Sequence, residues 1–500
     1  MAASDNSGHQ ASNILELAQG RVVELFHNAQ KETFVTWRPL TGRERHLRID
    51  SPAFRMALTM EVFEKKKRVP SGLAIVDALR LLSAKALFEG ETRQTFLRSA
   101  DIEGNIFYDL GDDRYNAVKV TESGWTLVDD VPCVFLRPKS LRPLPVPQRN
   151  GSLDELRELL NLKDDCTWRL TVCWLIAAMR PTGPYPALVL TGEPGAGKSL
   201  TALLLSRLID PHGAGLRNEP RTEQDLAIAA ANNRVLAFDN ISRLPPWLSD
   251  AFCRFTTGGA YASRQLFSDG EEFLLEAQIP LILTGIEDIA TRSDLADRSI
   301  NIEMNRLSGA QRRREDLIKG QFDENHGLFF GCLLDLLADA LRILPTVAID
   351  AVPRLADFAF LGTAVEKAAG WPKGSFIEAF TENQKAAGLT AIENSVVART
   401  VVRFVRSCGQ WTGSHRQLMG EIRDFDPAET SRDLLWPKSV ERFSGELRRM
   451  APILRAVGVM YVYGKRRSNN VRLLQLTYRP IDVSQPSRSA CETSSPEMTE

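Results

Sequence analysis

Residues 192–199 read Gly-Glu-Pro-Gly-Ala-Gly-Lys-Ser, and this stretch decides the fold class. It follows the apolar run Ala187-Leu-Val-Leu190, which predicts a buried strand, and it precedes the helical run Leu200–Leu208. A glycine-rich loop between a strand and a helix is the setting that a phosphate-binding loop requires. The N–H groups of such a loop and the N-terminus of the following helix face the negative charge of phosphates. The stretch therefore predicts a nucleoside triphosphate site, with an ordinary turn as the alternative.

Different residues of this loop are expected to bind ATP and Mg²⁺. Its glycines allow positive φ values and a close approach of the backbone to the phosphates. Lys198 is expected to reach the β- and γ-phosphates, and Ser199 is expected to hold the magnesium ion. The predicted ATP-binding residues are Gly192, Glu193, Pro194, Gly195, Ala196, Gly197, Lys198, Ser199 and Leu200.

Composition is that of an ordinary soluble protein, with 500 residues, 43% hydrophobic and 25% charged. No apolar run approaches the ~20 residues that span a bilayer, and the first residues are polar, unlike a signal peptide. We therefore expect a cytoplasmic protein without a membrane partner. The seven cysteines form no Cys-x-x-Cys pair, so a structural zinc site is not expected.

Hydrophobic periodicity and turn signals predict an α/β protein with several domains. Apolar positions at helical spacing run through residues 12–90, and short β-rich segments over 92–137 indicate a small sheet. Four prolines between 138 and 150 indicate an extended linker. The predicted domains are an N-terminal α+β domain (1–145), a P-loop NTPase core (150–310), a helical connector (311–390), a C-terminal winged-helix domain (395–480) and a disordered tail (481–500).

Asp239 ends a second apolar run, Val235–Phe238, where a P-loop ATPase needs another magnesium-binding group. A strand that simply ends in aspartate is the alternative. Asn240 follows, at a position where many related ATPases place an acid that polarises the attacking water, and an amide cannot accept that proton. Either another acid serves, Glu193 being a candidate, or turnover is slow.

Residues 262–277 alternate around Asp269-Gly270, a strong hairpin signal. Arg264 on its first strand is expected to contact DNA or a neighbouring subunit's nucleotide, unless it lies on a solvated face. The next apolar run, Ile279–Leu283, ends at Thr284, which is expected near the γ-phosphate as a sensor. A threonine that ends a strand is also ordinary β composition.

Arg298 immediately precedes a further predicted strand, Ser299–Glu303. A guanidinium supplied by a neighbouring subunit can neutralise the charge that spreads over the γ-phosphate during phosphoryl transfer. The pattern therefore predicts that Arg298 completes the site of the next subunit. An intramolecular ion pair with Asp294 or Asp297 is the alternative.

Residues 395–480 carry 16 Lys/Arg against 7 Asp/Glu and follow the order helix, helix, helix, strand, strand. This order is typical of a winged-helix domain, in which the third helix and the turn between the strands contact DNA. The alternatives to DNA binding are a domain that binds another protein and a basic helix that is simply solvated. The predicted DNA contacts of this domain are Arg448 and Arg449 on the helix and Lys465, Arg466 and Arg467 in the turn.

Residues from about 90 to 480 resemble the ATP-binding proteins of phages and integrated mobile elements that are related to poxvirus-type primase-helicases. That group belongs with the AAA+ and superfamily-three helicases. The motifs that carry the resemblance are Gly-Glu-Pro-Gly-Ala-Gly-Lys-Ser at 192–199, Asp239-Asn-Ile-Ser, Thr257-Gly-Gly with Arg264-Gln-Leu-Phe-Ser-Asp, Asp294-Leu-Ala-Asp-Arg298, and Trp436-Pro with Leu447-Arg-Arg-Met-Ala-Pro.

The resemblance implies a ring-forming ATPase that acts on DNA, with Lys198, Ser199, Asp239 and Arg298 in the roles given above. Two departures limit it: Thr284 stands where such proteins often carry asparagine, and residues 1–145 show no paired acidic ligands of a primase, so priming is not predicted. The leading hypothesis is an ATP-dependent DNA helicase or translocase, a hexameric ring, in the replication of a phage or mobile element. The alternatives are an ATP-gated DNA-binding initiator with little hydrolysis and a remodelling ATPase that does not act on DNA.

Overall fold

The structure is a computed structural model. It describes residues 2–242, 244–264, 272–276, 278–285, 289, 292–309, 311–432, 436–466 and 472–479.

The N-terminal part packs three helices against a four-stranded sheet of order β3-β2-β1-β4. The side chains of Ser51 and Ser71 cap the second and third helices, each accepting a main-chain N–H at 3.2 Å. Its elements are α1 (Ala2–Ala18), β1 (Val22–His27), β2 (Thr33–Trp37), β3 (Arg45–Arg48), α2 (Pro52–Lys66), α3 (Gly72–Phe88) and β4 (Glu91–Thr92).

The prediction of helices throughout residues 12–90 is wrong between Val22 and Arg48, where the chain forms β1, β2 and β3. The apolar positions Val22, Val23 and Leu25 fit a helix and a strand about equally over so short a run. Antiparallel pairing decides between them, because β1 lies against β2 through a tight turn in which Lys31 has a φ of 62°.

The predicted small sheet after residue 92 is confirmed as a four-stranded antiparallel sheet of order β6-β7-β8-β9 beside a parallel pair of short strands, β5 and β10. Its face with Tyr108 and Val118 shares a hydrophobic core with the helices of the next part of the chain. The strands are β5 (Thr95–Phe96), β6 (Ser99–Ile102), β7 (Asn105–Asp109), β8 (Ala117–Thr121), β9 (Gly124–Val128) and β10 (Val134–Phe135).

A four-stranded parallel sheet of order β12-β15-β11-β16 forms the centre of the molecule. Strand β11 lies inside this sheet and all five of its residues are buried. The predicted hairpin is confirmed as the antiparallel pair β13 and β14, whose turn lies outside the described residues. The elements are α4 (Asp154–Leu159), α5 (Asp165–Met179), β11 (Ala187–Thr191), α6 (Lys198–Ile209), α7 (Glu223–Asn232), β12 (Leu236–Phe238), α8 (Pro246–Thr257), β13 (Ala260–Arg264), β14 (Glu272–Glu276), β15 (Leu281–Thr284), α9 (Ser293–Ala296) and β16 (Ser299–Glu303).

Helices follow the sheet, as predicted for residues 311–390, and the C-terminal part then shows the predicted order of three helices and two strands. Two further elements appear there, a short helix and the strand β17, which makes a three-stranded antiparallel sheet of order β17-β19-β18. The elements are α10 (Glu315–Ile343), a 3₁₀ turn (Leu344–Thr346), α11 (Ala356–Ala368), α12 (Ser375–Asn394), α13 (Val396–Cys408), β17 (Gln410–Gly413), α14 (His415–Phe425), α15 (Pro427–Arg432), α16 (Val440–Ala456), β18 (Val459–Arg466) and β19 (Arg472–Tyr478).

A buried ion pair joins the antiparallel sheet to the central one. Arg98, which is 0% exposed, donates from Nε to Asp210 Oδ1 at 2.9 Å. The other oxygen of Asp210 accepts the N–H groups of Arg234 and Val235, which lead into β12. Because Asp210 directly follows α6, one carboxylate ties this helix to both sheets. Among the helices of the described residues, none combines the length and the apolar character that crossing a membrane requires.

Candidate nucleotide site

The loop 192–197 leaves the carboxyl end of β11 in a conformation that requires glycine at several positions. Gly192, Gly195 and Gly197 have φ values of 140°, 85° and 83°, a region that L side chains rarely adopt. A Cβ atom at Gly192 would lie 2.4 Å from the carbonyl oxygen of Met304. The loop is therefore shaped by its glycines and by the chain that follows β16.

Asn161 fixes the far side of the loop, and sequence reasoning did not find it. Its side-chain amide donates to the carbonyl oxygen of Ala196 at 3.0 Å and to that of Asn305 at 2.6 Å. Asn161 lies between α4 and α5, outside any recognisable motif, so no local pattern indicated that it would reach the loop.

Lys198 begins α6 and folds back over the loop that precedes it. Its Nζ donates to the carbonyl oxygen of Gly192 at 2.6 Å and to that of Glu193 at 3.0 Å. Partial burial lowers the pKa of Lys198, and the nearby Asp239 carboxylate acts in the opposite direction. The ammonium group thus lies at the mouth of the loop, where it could meet a polyphosphate.

Ser199, Asp239 and Thr284 meet at the carboxyl edge of the central sheet, although they come from α6 and from the ends of β12 and β15. The hydroxyl of Ser199 donates to Asp239 Oδ1 at 2.8 Å. The hydroxyl of Thr284 donates to the same oxygen. A serine hydroxyl beside a carboxylate is a set of hard oxygen ligands that suits Mg²⁺, which usually binds one or two protein groups together with substrate phosphates.

The contacts of Thr284 favour a part in positioning Asp239. Thr284 is 1% exposed, and besides donating to Asp239 its hydroxyl accepts the main-chain N–H of Asn240 at 2.9 Å. Both ends of the hydroxyl are thus used inside the protein. A direct contact to the γ-phosphate, as the sequence suggested, stays a prediction.

Asn240 is exposed and has a φ of 55°, so the chain turns sharply directly after Asp239. Glu193, the other candidate for activating water, is exposed on the loop and forms an ion pair with Arg306 at 3.4 Å. Neither residue places an unpaired carboxylate next to Asp239.

Arg306 and Arg312 flank the loop from the same chain, and sequence reasoning did not include them in the site. Met304 donates its N–H to the carbonyl oxygen of Thr191 at 2.8 Å, which carries the segment after β16 across the loop. Arg312 places Nη2 3.4 Å from where a Cβ atom of Gly195 would lie. The arginine run at 312–314 is visible in the sequence, but its position beside the loop depends on the course of β16.

Arg298 lies at the opposite edge of the sheet from the loop. Ser299 pairs with Ala187 at the beginning of β11, whereas the loop leaves from the end of that strand. Five residues of strand separate the two edges by roughly 16 Å, so Arg298 is remote from the loop of its own chain.

Within the described residues, Arg298 does not form the ion pair with Asp294 or Asp297 that was the alternative prediction. The guanidinium of Arg298 donates to the main-chain carbonyl of Asp294 at 2.9 Å. The carboxylate of Asp297 pairs with Arg354, and that of Asp294 pairs with Arg292.

The predicted DNA contacts belong to two parts of the chain, the hairpin of β13 and β14 and the C-terminal part. Arg264 ends β13 opposite Glu272, and its side chain lies outside the described part. Arg448 and Arg449 are exposed on α16. The backbones of Lys465 and Arg466 end β18, while Arg467 lies outside the described residues.

Comparison with known proteins places these features in a replication system. Residues 153–381 match the model of the actinomycete integrative conjugative element replication protein, and residues 397–492 match the C-terminal domain of the same RepA family. The two matches indicate a replication protein of an integrative conjugative element. In this replication protein, the first match contains the loop, Asp239, Thr284 and Arg298, and the second contains α16.

Two solved structures of the NrS-1 C-terminal region in its A-form apo state are similar to the replication protein at low identity. One shares 13% identity over 91% of this chain and 96% of that chain, with a TM-score of 0.38. The other, of residues 305–718, shares 11% identity over 90% and 95%, with a TM-score of 0.36. A search among curated proteins found no match.

Proposed function

We propose that this replication protein is a Mg²⁺-dependent ATPase that uses ATP to move along or unwind DNA as a ring oligomer, a hexamer by its resemblance. The observation that carries the proposal is the convergence of Lys198, Ser199 and Asp239 at one sheet edge. Lys198 and the loop N–H groups would hold the phosphates of ATP. Ser199 and Asp239 would hold Mg²⁺, which neutralises charge that develops on the phosphates.

The position of Arg298 supports assembly into a ring. An arginine at the sheet edge away from its own loop cannot serve its own nucleotide, but in a head-to-tail arrangement it can face the loop of the next subunit. A site built in this way is complete only in the oligomer, so hydrolysis and assembly would be coupled.

The test is ATP hydrolysis by the full chain with and without DNA. We expect Mg²⁺-dependent turnover that DNA stimulates, with loss of at least about 100-fold in Lys198→Ala and in Asp239→Asn. Lys385→Ala is the matched control, because Lys385 is an exposed lysine on α12 whose ion pair, with Glu382 at 2.8 Å, lies within the same helix. Absence of turnover in the wild type under all these conditions would refute the proposal.

A second candidate function is an initiator that binds ATP, assembles on DNA and hydrolyses little. Two observations favour it. Asp239 is followed by Asn240, whose amide cannot accept a proton from the attacking water. Glu193, the other candidate base, is paired with Arg306. The two functions differ in one measurement, the unwinding of a tailed duplex. Unwinding at a rate proportional to ATP turnover excludes the initiator, whereas assembly on DNA without strand separation excludes the helicase.

A further inference from the structure

An open groove of about 780 Å³ runs along the first half of α16, on the C-terminal domain. Its walls include Trp436, Lys438, Arg442, Gly445, Glu446 and Arg449. Arg442, Glu446 and Arg449 recur at helical spacing and so share one side of α16. Gly445 on the same side has no atom of the described residues within 4 Å of its Cβ position, which keeps the groove open.

Arg448 belongs to a different side of the helix. Its guanidinium donates to the carbonyl oxygen of Ser444 at 3.3 Å and to the hydroxyl of the same residue at 2.8 Å. Its charge also lowers the pKa of His415, the first residue of α14, after the larger effect of burial. The neighbouring arginines of α16 therefore face different surroundings.

Among the described residues that line the groove, three cations, Lys438, Arg442 and Arg449, stand against one carboxylate, so these residues carry a net positive charge. That carboxylate, Glu446, accepts a hydrogen bond from the hydroxyl of Ser395 at 2.7 Å and so helps to anchor the start of α13. Trp436 forms one wall, is 7% exposed, and its indole N–H has no acceptor among the described residues, which do not include 433–435.

We propose that this groove holds the phosphate backbone of DNA, so that Lys438, Arg442 and Arg449 bind the strand while Arg448, which the sequence predicted to contact DNA, does not. The inference rests on the proposed action on DNA and adds where the C-terminal domain holds it. Phosphodiester oxygens supply both the negative charge that three cations favour and acceptors for N–H donors. Contacts of this kind carry no sequence information, so binding through the groove should be independent of sequence and sensitive to salt.

The test measures binding of the full chain to labelled duplexes of two unrelated sequences between 50 and 200 mM salt. Arg442→Ala and Arg449→Ala should each weaken binding to both duplexes roughly three- to tenfold and lower the slope of log K against log salt by about one. Arg448→Ala, which removes the same charge one residue away, is the matched control and should change binding less than about twofold. Glu446→Gln keeps an acceptor for Ser395 and should tighten binding.

The outcomes separate this inference from the proposed function. If Arg448→Ala weakens binding as much as Arg442→Ala and Arg449→Ala, or if the groove variants bind like the wild type, the groove does not hold DNA although the protein does. If the folded wild type hydrolyses ATP but binds neither duplex, the proposed action on DNA itself fails.

Discussion

At the scale of single residues, the candidate site depends on the orientation of the Asp239 carboxylate, which two hydroxyl groups fix. One carboxylate oxygen of Asp239 accepts hydrogen bonds from Ser199 and from Thr284. A magnesium ion that replaces the serine hydrogen bond by coordination would leave the threonine bond in place. Thr284 would then hold the carboxylate in its orientation while the ion binds.

Thr284→Val should therefore lower ATP turnover at least about tenfold while ATP affinity changes little. Valine has nearly the same shape but removes one of the two hydroxyl donors to Asp239 and leaves the N–H of Asn240 without the hydroxyl that accepts it, which costs about 1–3 kcal/mol of stability. Thr284→Ser keeps the hydroxyl and is the control. Steady-state kinetics and urea unfolding check the prediction, and equal turnover in the valine and serine variants would contradict it.

Gly192→Ala should abolish ATP binding and destabilise the fold by several kcal/mol. The added Cβ would lie 2.4 Å from a main-chain oxygen, at a φ of 140°. Gly320→Ala, at an exposed position in the second turn of α10 with open space around it, should instead stabilise by about 0.5–1 kcal/mol. Thermal unfolding measures the two changes in stability, and binding of a fluorescent nucleotide measures the loss of affinity. Normal ATP binding by Gly192→Ala would show that the loop does not require glycine at this position.

At the scale of secondary-structure elements, buried polar contacts hold the helix that carries Lys198 in place. Tyr108 of the antiparallel sheet donates to the carbonyl oxygen of Ile209 at 2.7 Å, and Arg98 pairs with Asp210 next to it. Both contacts lie at the end of α6 remote from the loop. They make the antiparallel sheet part of the support of the candidate nucleotide site.

Arg98→Met should destabilise the protein by about 3–5 kcal/mol, because it leaves the carboxylate of Asp210 buried without its partner. The exposed pair of Arg314 and Asp316 supplies a control, since Arg314→Met should cost less than about 1 kcal/mol. Chemical unfolding of both variants checks the prediction. Similar losses of unfolding free energy in the two variants would mean that burial does not make the pair of Arg98 and Asp210 more important for stability than an exposed pair.

His326 should make the stability of α10 depend on pH. Burial lowers its pKa from 6.5 to about 4, although its hydrogen bond to the carbonyl of Leu208 opposes this shift. The folded protein keeps the imidazole neutral while the unfolded chain takes up a proton near pH 6.5, so stability is complete above that pH and falls toward pH 4. The loss from this group is at most about 3 kcal/mol.

The measurement is urea unfolding of the wild type and of His326→Gln at pH 7.5, 6 and 5. The free energy of unfolding should fall more steeply with acid in the wild type, so the two proteins should approach each other in stability at low pH. Carboxylates contribute equally to both curves and cancel in the comparison. Parallel curves would contradict the prediction.

At the scale of the whole molecule, the central sheet separates two kinds of groups. The loop, Asp239 and Thr284 lie at its carboxyl edge, and Arg298 lies at the other edge, next to α9. The helix α16, which carries the groove, packs against α9 and α12. DNA held on the C-terminal domain would therefore be coupled mechanically to the segment that presents Arg298.

Mixing two inactive variants tests whether Arg298 acts between subunits. Lys198→Ala and Arg298→Ala should each lose ATP hydrolysis, but their mixture should regain part of it. Some interfaces then combine an intact loop from one subunit with an intact arginine from its neighbour. Arg298→Lys should rescue little, because lysine lacks the planar donor geometry of a guanidinium. If the mixture stays inactive although the subunits exchange, Arg298 serves its own chain.

Much of this protein could be predicted from the sequence, because the relevant physics is local. Three glycines and a lysine between a strand and a helix predict the loop, and the order of three helices and two strands predicts the elements of the C-terminal part. Periodicity failed at Val22–Arg48, where short apolar runs suit either structure and pairing with a neighbouring strand decides.

Only the tertiary structure brought together residues that are distant in the chain. Asn161 reaches the loop from the segment before α5. Arg306 and Arg312 reach it because β16 pairs with β11, a result of strand order that no local pattern encodes. Packing likewise decides that Arg298 donates to the main-chain carbonyl of Asp294, while Arg292 and Arg354 pair with the carboxylates of Asp294 and Asp297. It also places Arg448 and Arg449 in different surroundings. Sequence spacing determines which helix and strand carry a side chain, whereas packing of those elements determines what the side chain meets.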